Sequence, residues 1–205
     1  MIPKIIHQIW ISNGDVCPIP EYCRPFTQAW QELHPEWTHR IWGNEIFDEF
    51  ADDPWLGKLR GKLDEAFLSD RLRYLLLYRF GGIYSDIDVL PLRAFDGLVS
   101  TRFLIVGISH ASFQSIDPSV ICAEPHLDVV LEVLEQKPDR GDALGKHLLK
   151  HAPAETTFMA PQAFSLRSPV EESFTLHEPH KLGSWHQRRG RLSPRASTRR
   201  RDVNP

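Results

Sequence analysis

The feature that most constrains the fold is the stretch from Ser69 to Leu92, in which a helix signal passes through two glycines into a strand signal. Ser69 is an N-cap candidate, and apolar residues recur after it at helical spacing. Gly81-Gly82 predicts that the helix ends there and turns sharply. Ile83 to Val89 is then predicted to be a strand that carries two aspartates at its end.

The rest of the chain alternates between strand and helix patterns. The other predicted strands are Lys4–Trp10, Thr38–Trp42, Phe103–Ile108 and Val120–Ala123. The other predicted helices are residues 21–34, a short helix capped by Asn44 that ends at Phe50, Leu127–Gln136 and Ala143–His151. This alternation predicts the α/β class, and the length suits one domain over residues 1–187.

Charge is distributed unevenly along the chain. The first 180 residues carry 16 basic and 26 acidic groups, whereas the residues from Lys181 onward carry eight basic groups and one acidic group. Residues 188–205 have almost no apolar content, which predicts a disordered basic tail. An acidic body argues against nucleic-acid binding, and the tail predicts peripheral contact with an anionic membrane surface.

Cysteine usage and hydropathy indicate the compartment. The cysteines (Cys17, Cys23 and Cys122) are odd in number and form no CxxC pair, which argues against a disulfide scaffold or a zinc site. The amino terminus lacks the apolar core of a signal peptide, and no apolar run approaches the roughly 20 residues that a membrane span needs. We therefore expect a cytoplasmic protein, with its tail at the inner membrane face.

Asp86 and Asp88 are the strongest candidates for chemistry. On an extended backbone, residues two apart project to the same side, and converging carboxylates favour a bound cation. Oxygen ligands suit Mn²⁺ or Mg²⁺, and the carboxyl end of a strand is where α/β sheets bind ligands. Asp70 and Arg73, three apart, share one face at the start of the predicted helix. The alternatives are solvated loop carboxylates and an aspartate favoured by the helix dipole.

These residues carry a family resemblance. Ser69 to Leu92, with Ile2–Trp10 and Glu36–Trp42, resembles the DXD-motif sugar-transferase family of fungal initiating mannosyltransferases and bacterial capsular polysaccharide transferases. It is also similar to the donor core of glucosylating bacterial toxins. The resemblance covers residues 2–95 and, more faintly, 119–186. It implies a single GT-A-like (Rossmann-like) nucleotide-sugar-binding domain with a central mixed sheet flanked by helices.

The resemblance also implies roles for the polar residues. Asp88 is expected to be the principal metal ligand for Mn²⁺ or Mg²⁺, with Asp86 facing the donor ribose and the metal shell. Asp70 and Arg73 are expected to hold the hydroxyls of the transferred sugar and the diphosphate.

Three apolar or aromatic residues receive roles in donor binding. The resemblance places Tyr84 beside the diphosphate and the sugar, and it stacks Trp10 on the nucleobase with Ile9 lining the same pocket. For Trp10 and Tyr84 the alternative is that both are ordinary core aromatics on buried strands.

The segment Glu178–Trp185 resembles the part of the family that closes over the diphosphate. The resemblance assigns His180 to the metal shell, with Glu178 as the alternative ligand, and it assigns Ser184 and Trp185 to the phosphates. The alternative for His180 is an ordinary surface histidine.

The implied activity is metal-dependent transfer of a sugar from a UDP- or GDP-sugar to a saccharide or other hydroxyl acceptor. Retention at the anomeric carbon and a place in surface polysaccharide or glycoconjugate synthesis are implied with it. One alternative is a transferase-derived protein that binds sugar nucleotides without turnover, because Ala160-Pro161 replaces the family's Gly-Pro pair in a shortened second half. Another is a haloacid-dehalogenase-like phosphatase, which requires Gly-Thr where Val89-Leu90 stands.

Overall fold

A computed structural model describes residues 1–12, 18–59, 65–100, 103–108, 115–136, 143–166 and 173–177. Within these ranges the chain forms two β-sheets and seven α-helices. None of these helices is long and apolar enough to cross a membrane.

The elements follow one another in mixed order along the chain. The strands are β1 (Ile5–Ile9), β2 (Thr38–Trp42), β3 (Gly82–Ser85), β4 (Val89–Pro91), β5 (Leu104–Ile108), β6 (Ile116–Ala123), β7 (Thr156–Met159), β8 (Phe164–Leu166) and β9 (Thr175–His177). The helices are α1 (Arg24–Leu33, preceded by a 3-10 turn at Glu21–Cys23), α2 (Ile46–Glu49), α3 (Leu56–Leu59), α4 (Glu65–Phe80), α5 (Asp96–Val99), α6 (Asp128–Glu135) and α7 (Ala143–His151).

The main sheet is mixed, with strand order β2-β1-β3-β6-β5-β7. β1 pairs in parallel with β2 and β3, whereas β6 runs antiparallel to both β3 and β5. The carboxyl ends of β1, β2 and β3 therefore meet the amino-terminal part of β6 at one edge of the sheet. We call this the upper edge, and it is formed by Trp10, Trp42, Asp86 and Ser119.

Both faces of the main sheet are buried, because alternate strand residues enter two separate cores. On one face, side chains of α4, α6 and α7 such as Leu72, Val130 and Leu148 form one cluster. On the other face, Trp30 of α1 packs with residues of β4 and β8 from the small sheet, whose order is β4-β9-β8. The predicted α/β class, with a mixed sheet flanked by helices, is confirmed.

Two predicted helix caps are wrong. α4 begins at Glu65, so Ser69 lies inside the helix, where its hydroxyl donates to the Glu65 carbonyl at 2.9 Å. α2 has no side-chain cap, and the Asn44 side chain accepts instead from the Ser12 amide at 2.9 Å. In both cases the polar side chain forms its hydrogen bond with a different backbone group that lies close to it in space.

The predicted single strand over residues 83–89 is also wrong. β3 ends at Ser85, and the Val89 amide donates to the Asp86 carbonyl at 3.2 Å, which closes a turn. β4 then leaves the main sheet and pairs with β9. We call Asp86–Val89 the aspartate turn. Because its backbone is not extended, the argument that both carboxylates project to one side does not apply.

Other differences concern short or late elements. The strand predicted from Val120 already begins at Ile116. The short helices α3 and α5 and the strands β7 to β9 were not predicted, since each spans at most four residues. The predicted tail, residues 188–205, lies outside the described residues.

Gly81 and Gly82 are required by the geometry of the turn between α4 and β3. Their φ angles are +63° and +95°, a region that side chains with a Cβ rarely adopt. A Cβ on Gly82 would lie 2.4 Å from the Ile5 carbonyl oxygen of the neighbouring strand. The glycine pair therefore lets α4 fold back directly along β3 and lets β3 approach β1.

We predict that Gly82→Ala lowers the free energy of unfolding by about 2 to 3 kcal/mol, because it combines backbone strain with a steric overlap. Gly57→Ala is the matched control, since a Cβ there would meet nothing within 4 Å. Urea denaturation of both variants measures the difference. Equal stability of the two variants would contradict the close approach of β3 to β1.

Candidate functional site

The glycine turn determines which residues of α4 reach the upper edge. Asp70 lies eleven residues before Gly81, and Asp86 lies five residues after it. At 1.5 Å per helical residue and 3.3 Å per strand residue, both positions lie about 16 Å from the turn. Because α4 and β3 run in opposite directions, the amino-terminal half of α4 lies beside the aspartate turn.

Arg73 occupies the centre of this junction. Its Nη2 donates to Asp70 Oδ1 at 2.7 Å and lies 3.6 Å from Asp86 Oδ1. Its Nη1 donates to the Pro118 carbonyl at 2.6 Å. The guanidinium also lies over the ring of Tyr84, whose hydroxyl donates to Asp86 Oδ1 at 2.6 Å. One buried cation thus joins α4, the aspartate turn and the start of β6.

The protonation states of this cluster follow from its packing. Burial raises the pKa of Tyr84 well above its ordinary value, although the charge of Arg73 opposes the shift, so its hydroxyl remains a hydrogen-bond donor. Burial favours the neutral form of Arg73, but the carboxylates of Asp86 and Asp70 outweigh this effect and raise the pKa of Arg73. Arg73 therefore stays a cation. Its Nε is buried and has no hydrogen-bond partner among the described residues.

The carboxylates at the edge differ in accessibility. Asp70 and Asp86 keep 22% and 28% of their side chains exposed, whereas Asp88 is 5% exposed. Beside Asp88, the Cys23 thiol has its pKa raised to about 11 by burial and by the Asp88 charge. The structure thus brings Asp70, Arg73, Tyr84 and Asp86 into one connected cluster, with Asp88 two residues further along the turn.

The apolar residues of the predicted donor pocket separate into two clusters. Trp10 is 7% exposed and packs with Cys23 and Ile87, the middle residue of the Asp-Ile-Asp motif. Ile9 belongs instead to the core that faces α4. The stacking role of Trp10 and the lining role of Ile9 stay predictions.

A divalent cation would find oxygen donors at this edge. Asp86 and Asp88 both carry carboxylates on the aspartate turn, and Asp86 Oδ1 accepts from the Tyr84 hydroxyl and lies 3.6 Å from Arg73 Nη2. The described part of the chain contains no group of three His, Cys, Asp or Glu residues able to hold a metal. Mg²⁺-type sites commonly use one or two carboxylates plus substrate phosphates and water, so the residues present fit a metal held jointly with a phosphate ligand.

The predicted closing segment cannot be placed at the site. His180, Glu178, Ser184 and Trp185 all lie outside the described residues. Their assignments to the metal shell and the phosphates stay predictions.

Sequence reasoning missed the contribution of β6. The Asp86 amide donates to the Ser119 carbonyl at 2.8 Å, and Arg73 binds the Pro118 carbonyl. Main-chain acceptors leave no side-chain pattern to find. The signal that could have revealed them is the sequence Asp117-Pro118-Ser119 within β6, where the Asp117 carboxylate accepts from the Ser119 amide at 2.9 Å.

The part of the chain that contains the aspartate turn is similar to known proteins. Residues 20–104 match the family described as the glycosyltransferase sugar-binding region containing a DXD motif. The chain is 38% identical over 101 residues to inositol phosphoceramide mannosyltransferase 3 of Schizosaccharomyces pombe, covering 48% of this chain and 27% of that protein. It is 37% identical over 91 residues to a mannosyl phosphorylinositol ceramide synthase of Saccharomyces cerevisiae, covering 43% of this chain and 23% of that protein. The chain thus spans about a quarter of the length of these relatives.

A solved structure shares the fold. The crystal structure of a glycosyltransferase involved in the glycosylation of the major capsid of PBCV-1 aligns with a TM-score of 0.57. The alignment covers 91% of this chain and 97% of that one at 12% sequence identity. Together with the mixed sheet, this likeness establishes the predicted GT-A-like fold.

We predict that Arg73→Met destabilises the protein by about 3 kcal/mol, because it leaves two partly buried carboxylates and a carbonyl without their cation. Arg79→Met, on the same helix, is the control, since Arg79 is half exposed and its ion pair with Glu49 is open to solvent. The control should change the free energy of unfolding by less than about 1 kcal/mol. Similar losses in both variants, measured by chemical denaturation, would show that Arg73 does not organise the junction.

Proposed function

We propose that this chain, whose residues 20–104 match the family described as the glycosyltransferase sugar-binding region containing a DXD motif, is a metal-dependent enzyme that transfers a sugar from a nucleotide-sugar donor to a hydroxyl acceptor. The observation that most supports the proposal is the Arg73 bridge between Asp70 and Asp86 at the upper edge. This bridge places a permanent cation and two carboxylates where GT-A-like folds present the ends of their parallel strands.

For the donor, we propose a nucleoside diphosphate sugar with mannose as the first candidate. The proposal draws on the two fungal relatives, of which one is named a mannosyltransferase and the other a mannosyl phosphorylinositol ceramide synthase. The nucleotide is either guanosine or uridine diphosphate, and Trp10 is its proposed stacking partner. The acceptor is proposed to be a hydroxyl of a saccharide or glycoconjugate.

The proposed principal metal ligand is Asp88. Asp86 is proposed to face the metal shell and the donor ribose. When bound, Mn²⁺ or Mg²⁺ would neutralise charge on the departing diphosphate. The buried position of Asp88 shields its carboxylate from bulk water, which strengthens its interaction with a cation. His180 remains the proposed additional ligand, with Glu178 as its alternative.

The remaining cluster residues are proposed to bind and orient the donor. Asp70 accepts hydrogen bonds from hydroxyls of the transferred sugar, and Arg73 holds Asp70 in place while adding positive charge near the diphosphate. Tyr84 is proposed to orient Asp86, because its buried hydroxyl already donates a hydrogen bond to that carboxylate. This assignment differs from the direct donor contact that the family resemblance implied.

Retention is proposed to follow from attack on the same face that the diphosphate leaves. Asp70 is committed to Arg73, an arrangement that favours hydrogen bonding over nucleophilic attack on the anomeric carbon. The acceptor proton would pass to the leaving phosphate oxygen. The family match favours this chemistry over phosphatase activity, and a turnover assay with GDP- and UDP-sugars decides between an enzyme and a binding protein.

Two further aspects of the function stay proposals. A cytoplasmic location at a membrane surface, held by the basic residues after Gln187, fits the charge of that segment. A role in surface polysaccharide or glycoconjugate synthesis is the setting in which such a transferase would act.

We predict that Asp88→Asn weakens Mn²⁺-dependent binding of the nucleoside diphosphate on the order of 100-fold, because it removes the charge of the principal ligand. Asparagine preserves the shape of this buried side chain, so the fold should persist. Asp52→Asn, an exposed residue outside the cluster, controls for the change in net charge. Calorimetry with and without Mn²⁺ measures both, and unchanged metal-dependent affinity in Asp88→Asn would overturn the ligand assignment.

We predict that Asp70→Asn lowers kcat/KM for sugar transfer about 100-fold, because a site built to bind hydroxyls loses its charged acceptor. Affinity for the sugar-free nucleoside diphosphate should change less than about threefold, since the proposed contact is to the sugar. Steady-state kinetics and calorimetry on the same preparation give the two numbers. Near-normal turnover would reduce Asp70 to a structural partner of Arg73.

A further inference from the structure

The Asp86 carbonyl receives more hydrogen bonds than the turn alone requires. It accepts from the Val89 amide at 3.2 Å, from the Ser85 hydroxyl at 3.0 Å and from the Gln8 side-chain amide at 3.3 Å. The Asp86 amide is held separately by the Ser119 carbonyl. The main chain of Asp86 is thus fixed from β6 on one side and from β1 on the other.

The Gln8 contact lies where the backbone ladder stops. β1 and β3 pair at Ile6 with Ile83 and at His7 with Tyr84, which is the last pair in their register. Gln8 is the next residue of β1, and its side chain reaches the Asp86 carbonyl beyond that last pair. A side-chain hydrogen bond therefore continues the connection between the two strands into the aspartate turn.

The orientation of the Gln8 amide is determined by its two partners. A carbonyl can only accept, so the Gln8 nitrogen must face Asp86 and the Gln8 oxygen must face His39. His39 Nε2 lies 3.0 Å from that oxygen, so it must carry its proton to donate. Gln8 is completely buried, and both ends of its amide are hydrogen-bonded, the nitrogen to the Asp86 carbonyl and the oxygen to His39 of β2.

We infer that Gln8 is a positioning residue that, oriented by His39, holds the aspartate turn and thereby presents Asp86 and Asp88 to the donor. Burying an amide costs more free energy than burying an apolar side chain of the same size, so Gln8 is accommodated only because the Asp86 carbonyl and His39 bind the two ends of its amide. The consequence for metal and nucleotide binding rests on the proposed function. The consequence for the turn itself does not.

The test uses the full chain and four variants. Gln8→Met removes both amide contacts and keeps the length of the side chain, and His39→Leu removes the donor to Gln8. His39→Gln restores a donor to the same oxygen. Thr27→Val is the matched control, because it deletes a hydroxyl that donates to the Arg24 carbonyl within α1.

The first measurement is amide hydrogen exchange across residues 82–91 without nucleotide or metal. We expect the amide hydrogens of Asp86 and Val89 to exchange about fivefold faster in Gln8→Met, because the loss of one hydrogen bond favours opening of the turn by about that factor. His39→Leu should show a smaller increase at the same amides, whereas His39→Gln and Thr27→Val should match the unaltered chain. Unchanged exchange in Gln8→Met, or an equal increase in Thr27→Val, would overturn the inference. If Gln8→Met does not fold, the two His39 variants decide, and equal exchange in both would overturn it.

The second measurement is binding of GDP and UDP with and without Mn²⁺. Gln8→Met should lose about fivefold in the Mn²⁺-dependent part of the affinity and His39→Leu should lose less, with metal-free binding unchanged in both. Equal losses with and without Mn²⁺ would contradict a role in presenting the carboxylates. If the unaltered chain binds neither nucleotide, the proposed function fails, and the exchange measurement still decides whether Gln8 holds the turn.

Discussion

The arrangement of the upper edge depends on one buried guanidinium. Arg73 is the counter-charge for Asp70 and Asp86, the donor to the Pro118 carbonyl and the cation over the Tyr84 ring. Each of these partners comes from a different part of the fold or of the site. Because a buried charge is stable only when its partners are all in place, the position of Arg73 couples α4, the aspartate turn and β6 to one another.

The glycine turn makes this coupling possible. Gly81 and Gly82 adopt backbone angles that other residues resist, and they let α4 return along β3 without an intervening loop. The register between helix and strand then follows from their different rises per residue. A longer connection would leave the relative position of Asp70 and Asp86 undetermined. The short connection therefore fixes the backbone positions of Asp70 and Asp86 relative to each other. The side chains of the cluster then form the contacts between them.

Much of the fold and part of the site could be predicted from the sequence. The periodic patterns of β1, β2, α1 and α4 predicted their positions, because each element buries apolar residues at regular spacing. The expectation that Asp70, Arg73 and Asp86 serve one site came from the family resemblance. The wrong predictions concern local features. Ser69 and Asn44 do not cap helices but bind other backbone groups, and the strand that begins at Gly82 ends before Asp86. That break arises because β4 pairs with the distant β9, a contact that no local pattern encodes. The carbonyls of Pro118 and Ser119 were missed because main-chain acceptors leave no side-chain pattern in the sequence.

We propose that the upper edge binds a nucleoside diphosphate together with a divalent metal. Hydrogen exchange of the full chain, with GDP or UDP in the presence and absence of Mn²⁺, measures this binding at the edge itself. We expect protection of the peptides that contain Gln8–Trp10 and Tyr84–Val89, and we expect this protection to be much weaker without the metal. Protection confined to other parts of the chain, or equal protection with and without Mn²⁺, would contradict it.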